Sequence, residues 1–334
     1  MRAHTRLAIG AIGVLTAAGL LTGCGNAGSS GTEAPEQGAS GAGCAPVAGD
    51  QLVVLTDDKK LQNSDNILPA INAKVAGPQL VAALDKVSAA LDTPKLIGLN
   101  KAVDVDRKTS KVAAEEFAAA NNLTQGLEKG PGGAIVVGAG NFSESQTVAE
   151  LYRITLTAAG YQVKVQQIGN RELYEPALEK GEIQVVPEYA ATLAEFFNTK
   201  ANGKGAAPVS SPELEKTVAA LKASGEKAGI AFGAPSAAQD QNAFAVTKAF
   251  ADKYGVNTLS ELAAKCSGSA TVLAGPPECP QRPLCQAGLV KVYDFKAGSF
   301  SSLDAAGPQT KNALKTGNAS VGLVLSSDGA LATS

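Results

Sequence analysis

Groups able to hold a small charged solute outnumber groups able to break a bond in this chain. The only histidine, His4, lies in an amino-terminal stretch with the marks of an export signal. The processed protein therefore has no imidazole. That excludes Ser-His-Asp and Cys-His nucleophiles and most zinc sites. An enzyme would need a carboxylate or lysine mechanism; no such pair stands out, and two carboxylates such as Glu144 and Glu188 are one example. Binding chemistry is better supplied. Phe142, Ser143, Glu144 and Ser145 follow the apolar run Ala134 to Gly138, where a strand should end and a helix begin. Ligands of open α/β sheets sit at such carboxyl ends. Arg171 and Tyr174 lie one helical turn apart and offer a ring and a partner for a carboxylate. Arg282, between Cys279 and Cys285, offers a second guanidinium.

The elements that must carry these groups alternate. Strands are predicted at 51–55, 134–138, 162–168, 183–186, 271–274 and 321–325. Helices are predicted at 79–91, 112–120, 145–159, 171–180, 212–224, 244–254, 259–265 and 308–316. The β-α-β-α-β order from 134 to 186 is the pattern of a parallel sheet, so the class is α/β.

Arg2 and Arg6, the apolar run Leu7 to Leu21 and then Leu21-Thr22-Gly23-Cys24 make an export signal over 1–23 that resembles a bacterial lipobox. Lipid on Cys24 would place the protein on the extracytoplasmic face of the cell membrane. Residues 24–43 are mostly small and polar and read as a flexible tether. A net charge of −2 with no basic block argues against nucleic acid as a partner. Cys44, Cys266, Cys279 and Cys285 imply two disulfides in an exported chain. The short loop favours Cys279–Cys285, which leaves Cys44–Cys266. No metal and no other cofactor is expected.

Five stretches together resemble one family, the extracytoplasmic substrate-binding proteins of ABC importers for glycine betaine, choline and related osmoprotectants. They are Val137-Gly-Ala-Gly-Asn-Phe-Ser-Glu144, Val186-Pro-Glu-Tyr189 with Thr192, Glu278 with Arg282-Pro283, Ser326-Ser-Asp-Gly329, and Leu52-Val-Val-Leu-Thr-Asp-Asp-Lys59 with Asn66-Ile-Leu-Pro69. In the family the last of these follows the Asp-Gly motif; here it comes first. The resemblance therefore implies a circularly permuted form of the two-lobed, type II periplasmic-binding-protein (Venus flytrap) fold, rejoined through 125–133. Lobe one would hold 44–124 and 134–230, lobe two 235–320, and 321–334 would return to the hinge. The permutation would remove one of two covalent crossings between lobes, and Cys44–Cys266 would substitute for it.

The resemblance also implies a role and a site. The role is binding a small-molecule solute as a monomer and delivering it to a membrane permease by lobe closure. Tyr189 and Thr192 carry over as ligand contacts, and Ser327 falls in a matching motif. Asp65, Asn242 and Leu325 stand where the family often has tyrosines, and Asn66 follows Asp65. The aromatic cage that suits a quaternary ammonium is thus thinned. Asp65 and the polar run Gln239 to Asn242 would make a more polar site. A different polar or aromatic solute on the same scaffold is the alternative, and a carboxylate-dependent surface enzyme is a second.

Overall fold

The computed structural model describes residues 41–203 and 205–332. The export signal, Cys24 and the tether up to residue 40 lie outside them. The last three residues assigned to the tether belong to the fold. Ala42 bridges to Gly268, and a Cβ on Gly268 would fall 2.2 Å from the Gly43 nitrogen. Only glycine fits that crossing.

Among the described residues, ten strands make two five-stranded mixed sheets. The strands are β1 (Leu52–Val54), β2 (Ile67–Asn72), β3 (Ala134–Gly140), β4 (Gln162–Gly169), β5 (Val185–Tyr189), β6 (Ile230–Phe232), β7 (Asn242–Thr247), β8 (Gly268–Gly275), β9 (Ala297–Ser302) and β10 (Val321–Leu325). Lobe one has the order β4-β3-β5-β2-β6, and lobe two β9-β8-β10-β7-β1. Each has three parallel strands, then one antiparallel strand, then a short edge strand.

Helices cover both faces of the lobe-one sheet. On one side lie α1 (Pro78–Ala90), α2 (Thr93–Asn100), α3 (Ser110–Ala120) and α4 (Ser143–Ala158), packing Leu80, Leu84, Leu96, Ala114 and Leu151 against β2 and β3. On the other lie α5 (Arg171–Lys180), α6 (Ala190–Asn202) and α7 (Leu214–Lys227), packing Leu178, Leu193, Phe197 and Leu221. In lobe two, α8 (Lys248–Tyr254), α9 (Leu259–Cys266) and α10 (Gln286–Tyr293) cover one face through Phe250, Leu262 and Leu289. The opposite face carries α11 (Pro308–Lys315) and a smaller cluster with Leu52, Ala245, Ala274, Leu314 and Val324.

Four expectations need correction. Residues 244–254 are not one helix: Phe244 to Val246 are buried in β7, and Thr247 caps α8 by accepting from Phe250 N at 3.0 Å. Residues 44–61 belong to lobe two, where β1 pairs with β7 and Leu55 and Leu61 enter the core. Strand β10 is no hinge segment; it lies in the lobe-two sheet between β7 and β8. Cys44–Cys266, with an S–S distance of 1.96 Å, therefore lies wholly within lobe two and ties no lobes together. None is needed, because the chain crosses between Leu61 and Ile67 and again between Phe232 and Asn242, and beyond β10 Ser327 O accepts from Asn100 Nδ2 of lobe one at 2.8 Å. The Cys279–Cys285 bridge is present as expected.

Strand β2 escaped the pattern search because all six of its residues are buried, so nothing alternates, and because Pro69 argues against a central strand. The register resolves the proline. Pro69 lies opposite Pro187, three pairs from the Asn72 N to Gln184 O bond, and antiparallel alternation makes that a pair exchanging no hydrogen bonds.

Candidate functional site

The two crossings run side by side. Asn66 bridges to Gln239, and Asp240 N donates to Asp65 O at 3.2 Å. Above them opens a cleft of about 450 Å³. Its lobe-one wall is Phe142, Arg171, Tyr189, Thr192, Glu195 and Ser210, and its lobe-two wall Asn242, Leu284 and Leu325. Its floor is the crossings themselves, with Gln62, Asn63, Asp65, Asp240 and Gln241.

Its charge is lopsided. Arg171 opens α5 and its forked guanidinium meets Glu188 at 2.9 and 2.7 Å, so its charge is matched. Asp65 accepts from Thr192 N at 3.0 Å and from the Thr192 hydroxyl, with no cation in contact. Asp240 accepts from Ser327 Oγ at 2.8 Å. Burial pushes Asp65 up to about 6, against the pull of the Thr192 bonds and of Arg171. Burial, then the nearby Glu144 charge and then Asp65, push Asp240 up to about 8. Glu144 is also raised by burial, although it accepts from Tyr189 OH and Asn100 Nδ2, each at 2.5 Å. Burial is the largest cause for all three, and the charges that add to it are other carboxylates.

Two rings face this charge. Phe142 and Tyr189 have centroids 6.2 Å apart and planes tilted by 35°. Phe142 is 44% exposed, whereas Tyr189 is buried.

Of the candidate residues, the cleft gathers Phe142, Arg171, Tyr189, Thr192, Asp65 and Asn242. The others stand behind it or away from it. Glu144 and Tyr174 are buried, Glu144 beneath Tyr189. Ser145 Oγ accepts from Gly140 N at 2.9 Å, closing the strand-to-helix turn. The Ser143 carbonyl accepts from Thr147 Oγ1 at 2.8 Å, and its side chain does not line the cleft. Asn66 turns its amide to Ser236 O at 2.9 Å. Ser327 is buried and acts on Asp240. Arg282 does not reach the cleft; its side chain is 66% exposed and stands 3.8 Å from Glu278. Gln62, Asn63, Glu195 and Ser210 were missed. Gln62 and Asn63 precede a matched motif without belonging to it, Glu195 and Ser210 stand in none, and folding brings the four together.

Two sheets of one strand pattern, joined by paired crossings under a cleft, define a type II periplasmic-binding-protein fold. The family model for the substrate-binding domain of ABC-type glycine betaine transport systems matches residues 46–120 and 133–334. The chain belongs to that family, whose members are extracytoplasmic solute-binding components of importers rather than enzymes. No curated protein matches the chain. Among the described residues, no helix is long and apolar enough to cross a membrane.

Proposed function

We propose that this chain is a lipid-anchored solute receptor that binds a small cationic or zwitterionic osmoprotectant, of the betaine and choline class, and delivers it to a membrane permease. The observation that carries the ligand reading is a pair of carboxylates, buried Asp65 and half-buried Asp240, facing the cleft with no cation of the described residues in contact. A positive solute supplies the missing charge. Phe142 and Tyr189 flank it with two ring faces, each worth roughly 0.5–2 kcal/mol toward a quaternary ammonium. For a betaine, the carboxylate would turn toward Arg171 and the start of α4, which has no side-chain cap.

The fold supports a transport cycle driven by lobe closure. Ligand contacts both walls and both crossings, so it favours the arrangement in which the walls are close. The closed form then docks on the permease. The match of the family model parts at 121–132, which supports reading 125–133 as the join of a circular permutation. The Cys24 lipid anchor rests on the amino-terminal motif.

A different polar solute on the same scaffold is the second reading, favoured by Asp65, Asn242 and Leu325 replacing rings. The enzyme reading loses its pair, because Glu188 is spent on Arg171 and Glu144 on Tyr189 and Asn100.

Thermal unfolding against choline, glycine betaine, carnitine, ectoine, amino acids and sugars tests the proposal. A ligand at about 1,000 times its dissociation constant adds ~4 kcal/mol and a shift of several degrees. A shift with betaines or choline supports the osmoprotectant class. A shift with uncharged solutes alone would sink it.

A further inference from the structure

A second chamber, of about 470 Å³, adjoins the acidic cleft. The two share Asn63, Glu195, Ser210, Asn242 and Leu284, so they meet along one wall. Their chemistry differs. The second is lined by Pro276, Pro283 and Leu323, with the Cys279–Cys285 disulfide as part of its wall. Its acids have partners: Glu195 Oε1 accepts from Val209 N, Ser210 N and Ser210 Oγ, each at 2.7 Å, and Glu278 faces Arg282 at the exposed rim. No unspent buried carboxylate lines it. The staple holds this wall in place before anything binds, which lowers the ordering cost of binding.

We propose that the second chamber is a subsite for an apolar tail, and that the solute is an elongated cation with its charged head at Asp65 and Asp240 and an alkyl or aryl substituent against Leu284, Pro283 and the Cys279–Cys285 staple. This rests on the cation-receptor reading above and narrows it. A solute as small as choline sits within the first chamber and leaves the second one empty. Each methylene that enters the second removes apolar surface from water and tightens binding about fourfold.

Titration calorimetry of the full chain with choline and with propyl-, butyl-, pentyl- and hexyltrimethylammonium tests this. Affinity rises about fourfold per methylene along the series. Ala305, exposed on the chamber wall, is changed to tryptophan to fill the space without touching the core. Ala305→Trp leaves choline affinity unchanged and removes the gain with chain length. Affinity that is flat or falls with tail length while choline still binds overturns the subsite and spares the receptor reading. The same gain persisting in Ala305→Trp overturns the placement of the tail. No binding by any member of the series, choline included, overturns the cation reading itself.

Discussion

The two lobes share a strand pattern but are held together differently. Lobe one sandwiches its sheet between two helical layers that bury large side chains on both faces. Lobe two has one such layer; its second face is packed largely by alanines around Leu52, Leu314 and Val324. All four cysteines among the described residues lie in lobe two, in two disulfides. Smaller side chains bury less apolar surface and stabilise less. Cross-links offset the deficit by restricting the unfolded chain. Cys44 also secures the segment leading into the edge strand β1, which pairs with β7 alone. The division extends to the site. Lobe one supplies rings and the Arg171–Glu188 pair, whereas lobe two supplies amides and apolar walls.

The comparison breaks most visibly at the long disulfide. Cys44→Ser with Cys266→Ser opens a loop of 222 residues and should cost about 3–5 kcal/mol in urea unfolding. Hydrogen exchange should rise in β1 and α9 well before β3 and β5. Equal acceleration in both sheets would show that the lobes do not differ in this way.

The matching test in lobe one is Tyr189→Phe. It removes the hydroxyl donor to buried Glu144 while keeping the ring. Leaving that carboxylate short of a partner should cost about 1–3 kcal/mol, with exchange rising first around α4 and β5. Solute affinity should change less than stability does; the reverse outcome would make the hydroxyl a ligand contact.

Charge at the crossings is a smaller effect and depends on pH. Asp65→Asn should weaken choline binding about tenfold at pH 8, a loss of ~1.4 kcal/mol. In the native protein, cation affinity should climb from pH 5 to above pH 8, as Asp65 ionises near 6 and Asp240 near 8. The stability of the unliganded protein runs the other way. Both groups bind protons more tightly folded than unfolded, so their contribution to stability is full only below the unfolded carboxylate pKa of ~4. It falls as pH rises through about 6 and about 8. A bound cation should flatten that fall, and Asp240→Asn should melt higher than the native protein at pH 8. A melting temperature that ignores pH from 4 to 8 would remove these carboxylates from the argument.

The smallest effect is at the exposed ring. Phe142→Ala should leave the melting temperature unchanged and weaken choline by about three- to fivefold, within the ~0.5–1 kcal/mol of an exposed ring–cation contact. An unaltered dissociation constant would take Phe142 out of the site.

What could be read from the chain followed its local chemistry. Helices α1, α3, α4, α5, α9 and α11 and strand β4 were legible within a few residues because one face differs from the other and imposes a period, whereas β1 and β10 were legible as short apolar runs. The buried β2 and β7 were not, because Pro69 argues against a strand in the first and the apolar pattern of the second runs straight on into α8. The three-residue β6 and the serine-rich, unburied β9 left too little apolar pattern to find.

The site divides in the same way. Phe142, Arg171, Tyr189 and Asp65 stand in motifs or at element boundaries and could be named from the chain. That Asp65 and Asp240 share a floor, that Glu144 lies behind Tyr189, and that Arg282 points to solvent were decided by how the crossings pair and the lobes pack. Cysteine parity and spacing were enough to pair the disulfides. Which lobe they serve depended on β1 joining β7, a contact across nearly 200 positions that no local pattern encodes. Sequence by itself set the family, the elements with one buried face and the types of group available for binding, because those follow from neighbours along the chain. Tertiary structure alone decided which carboxylates remain without a cation, because partnership in a cleft depends on residues that meet only when the sheets are assembled.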